Sequence, residues 1–122
     1  DGYVESFRRW FDLSVSSVIY TEERLFDHAL GFSGRPDLIV EVEGGNIALV
    51  DIKTPVAHQR LWALQLAAYA HLCGVNNLPI ELVGSLRLNP YGGVPTMQWY
   101  EQRAEDLTVF LSALNVWRFI NL

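Results

Sequence analysis

Apolar positions recur along the chain with two different periods, which divide it into helices and strands. Aromatic residues at positions 3, 7, 10 and 11 recur at helical spacing and predict an amphipathic helix over residues 2–12. A second helix is predicted from His58 to Cys73, where apolar residues mark one face and neither glycine nor proline intervenes. A third is predicted over residues 104–119.

Between the helices, five apolar runs read as strands: residues 17–26, 32–42, 46–53, 82–88 and 95–100. Gly44 and Gly45 join the second and third runs as a hairpin. A strand, a crossover helix and another strand normally run parallel, so we expect 82–88 to lie parallel to 46–53. The order αβββαββα predicts one α/β domain over residues 1–122, with a mixed β-sheet flanked by helices.

Two aspartates interrupt the neighbouring strands of this hairpin. Asp37 and Asp51 stand in otherwise apolar runs, where a carboxylate is costly unless it is paired, hydrogen-bonded or bound to a cation. A two-residue turn would align Asp37 with Ile52 and send the two aspartates to opposite faces. A cation shared by the two aspartates requires them to face each other. We therefore expect a loop of odd length or a bulge between the two strands.

Lys53 follows the second aspartate by two positions, so both side chains leave the strand on one face. Opposed carboxylates repel each other, and Mg²⁺ between them would reverse that effect while keeping waters that a substrate can displace. Lys53 is the single lysine among nine cationic residues, and the other eight are arginines. A compact ammonium is not interchangeable with a planar guanidinium at a crowded site. The residues alone leave a structural ion pair and a chemical role about equally open.

Three further residues extend the pattern. Glu22 stands in the preceding strand, which should pair with 32–42, and is a candidate third carboxylate. Gln65 and Tyr69 lie four residues apart on one helix face, and this helix follows the Lys53 strand, so they can overhang the same edge. An ordinary packed helix explains the same spacing and stays open as the alternative.

Taken in order, these residues resemble the PD-(D/E)XK nuclease superfamily, and within it the RecB-like and phage-exonuclease-like branch with a Q-x-x-x-Y motif. The matching residues are Glu22, Asp37 in "GRPD", Asp51 and Lys53 in "DIK", and Gln65 and Tyr69 in "QLAAY". The resemblance covers nearly the whole chain. It implies a restriction-endonuclease-like core and divalent-metal-dependent hydrolysis of DNA phosphodiester bonds, with Mg²⁺ as the ion and Mn²⁺ as its substitute.

The resemblance also implies individual roles. The implied metal ligands are Asp37, Asp51, the backbone carbonyl of Ile52, and Glu22 as a further ligand or as an orienting group. Lys53 would position or activate the attacking water, whereas Gln65 and Tyr69 would bind the DNA backbone. Arg35 and Arg60 are close in sequence to the motif residues and are further candidates for phosphate contacts.

Charge keeps a second function open. The net charge of -5 is unusual for a nucleic-acid-binding protein, which generally carries a basic excess. A catalytically inactive DNA-binding or assembly module that retains the fold is therefore the alternative to a nuclease of phage DNA processing or of recombination and repair. A homo-oligomer or a larger DNA-processing complex is open in either case.

Cysteine content and hydropathy restrict the compartment. Cys73 is the only cysteine, which excludes an internal disulfide and fits the reducing cytoplasm of a bacterial or phage-infected cell. No run of eighteen apolar residues predicts a membrane span. The chain begins without methionine, which leaves a longer N-terminus open.

Overall fold

A computed structural model describes residues 1–54 and 59–121. The helices are α1 Gly2–Ser14, α2 Leu61–Val75 and α3 Arg103–Ile120. The strands are β1 Val15–Thr21, β2 Leu25–Asp27, β3 Phe32–Gly34, β4 Leu38–Val42, β5 Ile47–Lys53, β6 Leu82–Arg87 and β7 Thr96–Trp99. All three predicted helices are confirmed within a few residues, although the predicted start of the second, His58, lies outside the described residues.

A five-stranded mixed sheet forms the centre of the fold, in the order β1-β4-β5-β6-β7. β5 and β6 are parallel, as expected, and the other neighbouring pairs are antiparallel. Helix α2 makes the crossover between the two parallel strands. The mixed α/β sheet flanked by helices is consistent with the restriction-endonuclease-like fold expected from the sequence.

Two of the predicted strands are wrong as continuous elements. The runs 17–26 and 32–42 pair in the main sheet only through β1 and β4, whereas β2 and β3 form a separate hairpin and residues 22–24 and 35–37 lie in no strand. Pro36 gives the reason, because a proline has no N–H to donate to a strand ladder. The pairing of β1 with β4 therefore stops at Thr21 and Leu38.

The loop between β4 and β5 has the odd length that the aspartates require. Leu38 pairs with Val50, so the next position beyond β4 aligns Asp37 with Asp51. The backbone N–H of Val42 donates to the carbonyl of Asn46 at 2.9 Å, which leaves residues 43–45 as a three-residue loop. Both loop glycines have positive φ, which residues with a Cβ adopt at a cost.

Apolar side chains of the sheet alternate between two cores. Val40, Val50 and Leu86 pack with Trp10 on the face covered by α1. The neighbouring positions in the strands pack under α2, where the core comprises Ile39, Leu49, Val83, Leu66 and Leu72 among others. The alternation follows from the two-residue period of a strand. Asp37 is two residues from Ile39, Asp51 is two residues from Leu49, and Lys53 is two residues from Asp51. All three therefore lie on the α2 face.

Helix α2 lies between the sheet and α3, and seven of its fifteen residues are buried. α3 is the outermost layer and buries no residue completely. Its last two turns leave Val116, Trp117 and Ile120 exposed. Within residues 1–54 and 59–121, no helix combines the length and apolar character needed to cross a membrane.

Candidate active site

A row of polar side chains crosses the α2 face of the sheet at the level of Asp51. The parallel register sets Ser85 of β6 beside Asp51, and the next pair sets Gln98 of β7 beside Ser85. On the other side, the β4–β5 register brings Asp37 level with Asp51. The hairpin thus collects two carboxylates at one edge of the α2 core.

Asp37 is held in this position by the backbone of β5. Its Oδ2 accepts a hydrogen bond from the N–H of Ile52 at 2.9 Å. Pro36 has ended the regular ladder one residue earlier, so the side chain of Asp37 takes the place of a backbone acceptor. The carboxylate is thereby fixed across β5, next to Asp51.

Asp51 is the more deeply buried of the two aspartates, with 4% of its surface exposed. Burial raises its pKa to about 6, and the hydrogen bond and negative charge of Asp37 act in the same direction, whereas Lys53 opposes them. Its Oδ2 is 2.6 Å from Nζ of Lys53. Among the described residues, however, no donor meets this oxygen with hydrogen-bond geometry, so the contact is an ion pair by distance rather than a directed hydrogen bond.

Among the described residues, three neighbours fix Lys53 in place. Besides the contact with Asp51, its Nζ donates to Oε1 of Gln65 at 3.0 Å and lies 5.5 Å from the centre of the Trp62 ring. The side chain is 19% exposed. An ammonium with an anion, an amide oxygen and an aromatic face around it has little freedom to move.

Gln65 and Tyr69 meet the same edge, as the helix spacing suggests. Nε2 of Gln65 donates to the hydroxyl of Tyr69 at 3.1 Å. A chain of polar contacts therefore runs from Asp51 through Lys53 and Gln65 to Tyr69. The Tyr69 ring in turn packs on Gly34 of β3, where a Cβ would come within 2.5 Å of Cε1.

Gly34→Ala is expected to destabilise the protein by roughly 1–3 kcal/mol, because the new methyl group overpacks a ring that cannot yield easily. The ring would have to move, and with it the Tyr69 hydroxyl that Gln65 contacts. Urea unfolding measures the change in free energy. Gly74→Ala is the matched control, since a Cβ there meets nothing within 4 Å and alanine favours a helix by about 1 kcal/mol. Equal stability of the two variants would contradict the close packing at Gly34.

Glu22 does not lie in a strand, contrary to the prediction. It follows the end of β1 in an exposed bend with φ 45°. The β1–β4 register ends one residue earlier, at Thr21 and Leu38. No group of three or more histidine, cysteine or acidic side chains converges as a metal site anywhere in the part of the chain that the structure describes. The structure thus brings together Asp37 and Asp51, and leaves Glu22 apart from them.

Arg35 and Arg60 are both exposed and flank the site along the chain. Arg35 precedes Pro36 and Asp37 in the segment between β3 and β4. Arg60 stands at the N-cap position of α2 and lines a cavity of about 870 Å³ with Gln98 and Trp99. In the part of the chain that the structure describes, neither arginine forms a hydrogen bond or an ion pair with Asp37 or Asp51.

Sequence reasoning missed several residues that surround the site, namely Trp62, Ser85 and Tyr100. Oγ of the buried Ser85 is 3.0 Å from the hydroxyl of Tyr100. Burial raises the pKa of Tyr100, and the negative charge of Asp51 contributes to the same shift. Ser85 could have been identified only from the register in which β6 pairs with β5. The predicted strands do not specify that register.

The family comparison agrees with this geometry. A family model for the PD-(D/E)XK nuclease superfamily matches residues 1–106, which include every residue of the site. No curated protein matches the chain at a significant level.

Proposed function

Because the chain belongs to the PD-(D/E)XK nuclease superfamily, we propose that it is a divalent-metal-dependent deoxyribonuclease that hydrolyses phosphodiester bonds. The observation that carries the proposal is the meeting of Asp37, Asp51 and Lys53 on one face of the sheet. Two carboxylates side by side, one of them buried, are destabilised as they stand. Such an arrangement is expected where a cation or a reacting group compensates the charge.

The donor set fits Mg²⁺ or Mn²⁺. Both ions prefer oxygen ligands, and Mg²⁺ commonly uses one or two carboxylates together with waters and substrate phosphates. Asp37 and Asp51 would hold the ion with the backbone carbonyl of Ile52, and the buried Oδ2 of Asp51 lacks a directed donor among the described residues. When bound, the ion would lower the pKa of a bound water and offset the charge of the phosphate. Glu22 stays a prediction as a further or orienting ligand.

Lys53 would hold the attacking water against the phosphate. Its ammonium has three donors, of which one is directed at Gln65 and one faces Asp51. The remaining donor is the one that would meet water or a phosphate oxygen. Because the ammonium is already fixed, little reorganisation would be needed as negative charge grows on the phosphate.

Gln65 and Tyr69 would bind the DNA backbone, and Gln65 would also position Lys53 through the contact at 3.0 Å. Arg35 and Arg60 would add phosphate contacts on either side. Phosphate binding needs local cations rather than a basic average, so a net charge of -5 is compatible with this function.

From the motif formed by Gln65 and Tyr69, we further propose that the chain belongs to the RecB-like, phage-exonuclease-like branch of the superfamily. This placement favours a role in phage DNA processing or in recombination and repair, in the cytoplasm of a bacterial or phage-infected cell. A homo-oligomer or a larger DNA-processing complex would fit such a role.

A catalytically inactive DNA-binding or assembly module is the rival function, and the acidic net charge is the observation that favours it. The two functions differ in a direct assay, in which Mn²⁺ is titrated into the protein and circular and linear DNA are then digested, with EDTA as the control. We expect Mn²⁺ binding and EDTA-sensitive cleavage. Mn²⁺ binding without cleavage would favour the inactive module, and no Mn²⁺ binding at all would contradict the proposed site.

A further inference from the structure

Arg87 lies directly beside Lys53 in the sheet. The parallel register of β5 and β6 pairs the two residues, and partners in adjacent strands carry their side chains on the same face. The next residue back along β6, Leu86, packs in the core under α1, so Arg87 belongs to the α2 face. The proposed catalytic lysine therefore has a cationic neighbour that its own strand does not supply.

Arg87 differs from five of the seven other arginines in its side-chain partners, and from the remaining two, Arg35 and Arg60, in being partly buried. Arg103 and Arg118 donate to backbone carbonyls, Arg24 donates to Ser33, and Arg8 and Arg9 face Glu5. Arg87 is partly buried and its backbone pairs in the sheet, yet across residues 1–54 and 59–121 its guanidinium has no hydrogen bond and no acidic partner. A guanidinium has five donors, and withdrawing it from water without an anion is unfavourable.

The surroundings of Arg87 suit an anion. A small cavity of about 50 Å³ is lined by Arg87, Trp62, Ser85, Thr96 and Gln98. None of the described residues that line it carries a carboxylate, and Thr96 and Gln98 are exposed side chains with polar donors. At about 50 Å³ the cavity is far too small for a nucleotide, but it has room for the oxygens of a phosphate.

The cavity borders the site at Trp62. The Trp62 ring lies 5.5 Å from Nζ of Lys53 and also forms part of the cavity wall. A strand of nucleic acid whose phosphate reached Lys53 would therefore bring an adjoining phosphate toward Arg87.

We propose that Arg87, with Thr96 and Gln98, forms a second phosphate subsite, which binds the nucleic-acid backbone next to the phosphate at Lys53. Guanidinium binds phosphate through two parallel hydrogen bonds, and this contact would fix the position of the strand rather than read its sequence. The inference rests on the proposed function for the nature of the strand, but it concerns binding and not cleavage.

Arg87→Gln tests the subsite, because glutamine keeps polar groups and removes the charge. Binding of a short fluorescein-labelled oligonucleotide, single-stranded or duplex, is measured by anisotropy in EDTA, which prevents metal-dependent cleavage, over a range of salt concentrations. We expect about tenfold weaker binding at low salt. The slope of log affinity against log salt should become shallower by about 0.7 for the single strand or about 0.9 for the duplex.

Arg8→Gln is the matched control. It removes the same charge from an exposed position of α1, on the opposite side of the sheet. The slope for this variant should equal that of the unchanged protein. Equal changes in both variants would mean that net charge alone is measured, and would overturn the subsite.

Two further readouts separate the subsite from other roles. Mn²⁺ affinity of Arg87→Gln should be unchanged, and a loss of Mn²⁺ affinity with an unchanged salt slope would overturn the proposal. Arg87→Lys keeps the charge without the two-pronged geometry, so it should keep the slope and bind more weakly. If the unchanged protein cleaves no DNA but the slope difference persists, the subsite stands and the proposed nuclease function fails.

Discussion

Asp51→Asn is expected to abolish DNA cleavage and to weaken Mn²⁺ binding by roughly a hundredfold or more, while the protein stays folded. Asp51 and Asp37 are the two carboxylates that the hairpin aligns on one face. An amide keeps the shape of the side chain but removes half of the negative charge that would hold the cation. Calorimetric titration with Mn²⁺ and digestion of plasmid DNA measure the two losses. A variant that binds Mn²⁺ as tightly as the unchanged protein would place the metal elsewhere.

The stability of the same variant gives an independent readout. Burial raises the pKa of Asp51 from its ordinary 3.8 to about 6. A raised carboxyl pKa means that the folded state binds more protons than the unfolded state, so the metal-free protein loses stability as pH rises from about 4 to about 6. Asp51→Asn lacks this titration. At neutral pH and without metal, the free energy of unfolding of Asp51→Asn should equal that of the unchanged protein or exceed it by up to about 1–3 kcal/mol.

Asp27→Asn is the matched control, because Asp27 is also buried but is stably paired. Its carboxylate accepts from the N–H of Leu30 at 2.9 Å and lies 2.6 Å from Nε2 of His71. The Leu30 hydrogen bond, followed by that of His71, lowers its pKa. Asp27→Asn should therefore lose stability and keep Mn²⁺ affinity, the reverse of Asp51→Asn. Thermal unfolding in EDTA compares the two variants, and equal destabilisation would make Asp51 a structural residue.

Lys53→Arg is expected to fold and to bind metal and DNA nearly normally, but to lose about a hundredfold or more in cleavage rate. That is the typical size of one preorganised electrostatic contact. The ammonium fits between Oδ2 of Asp51 at 2.6 Å and Oε1 of Gln65 at 3.0 Å, with Trp62 beside it. A planar guanidinium keeps the charge but is too large for this space unless it displaces a neighbour or the attacking water.

Single-turnover cleavage at saturating Mn²⁺ measures this loss, so that weaker metal binding cannot imitate it. Lys53→Met serves as the comparison, since it removes the charge but retains a long side chain. Cleavage near the unchanged rate by the arginine variant, with loss only in the methionine variant, would reduce Lys53 to a charge partner of Asp51. Its occurrence as the only lysine of the chain would then have no chemical meaning.

The sequence determined the element types and the alignment of the two aspartates, because both depend on local periodicity. Helical and two-residue periods mark α1, α3 and the paired strands over short windows. Because side chains alternate along a strand, Asp37 and Asp51 can share a face only if the loop between their strands has an odd number of residues. The three-residue loop confirms this prediction. The break at Pro36 is also a local signal, and the prediction of a continuous strand over 32–42 overlooked it.

Only the tertiary structure decided which residues stand around those aspartates. The offset between β5 and β6 depends on how α2 packs between the sheet and α3, and no short window of sequence records it. That offset sets Ser85 beside Asp51 and Arg87 beside Lys53. The same packing buries Asp51 and shifts its pKa, while the bend after β1 leaves Glu22 exposed. Side-chain alternation fixes the face that a residue occupies, but its neighbours across a crossover are fixed by the packing of whole elements.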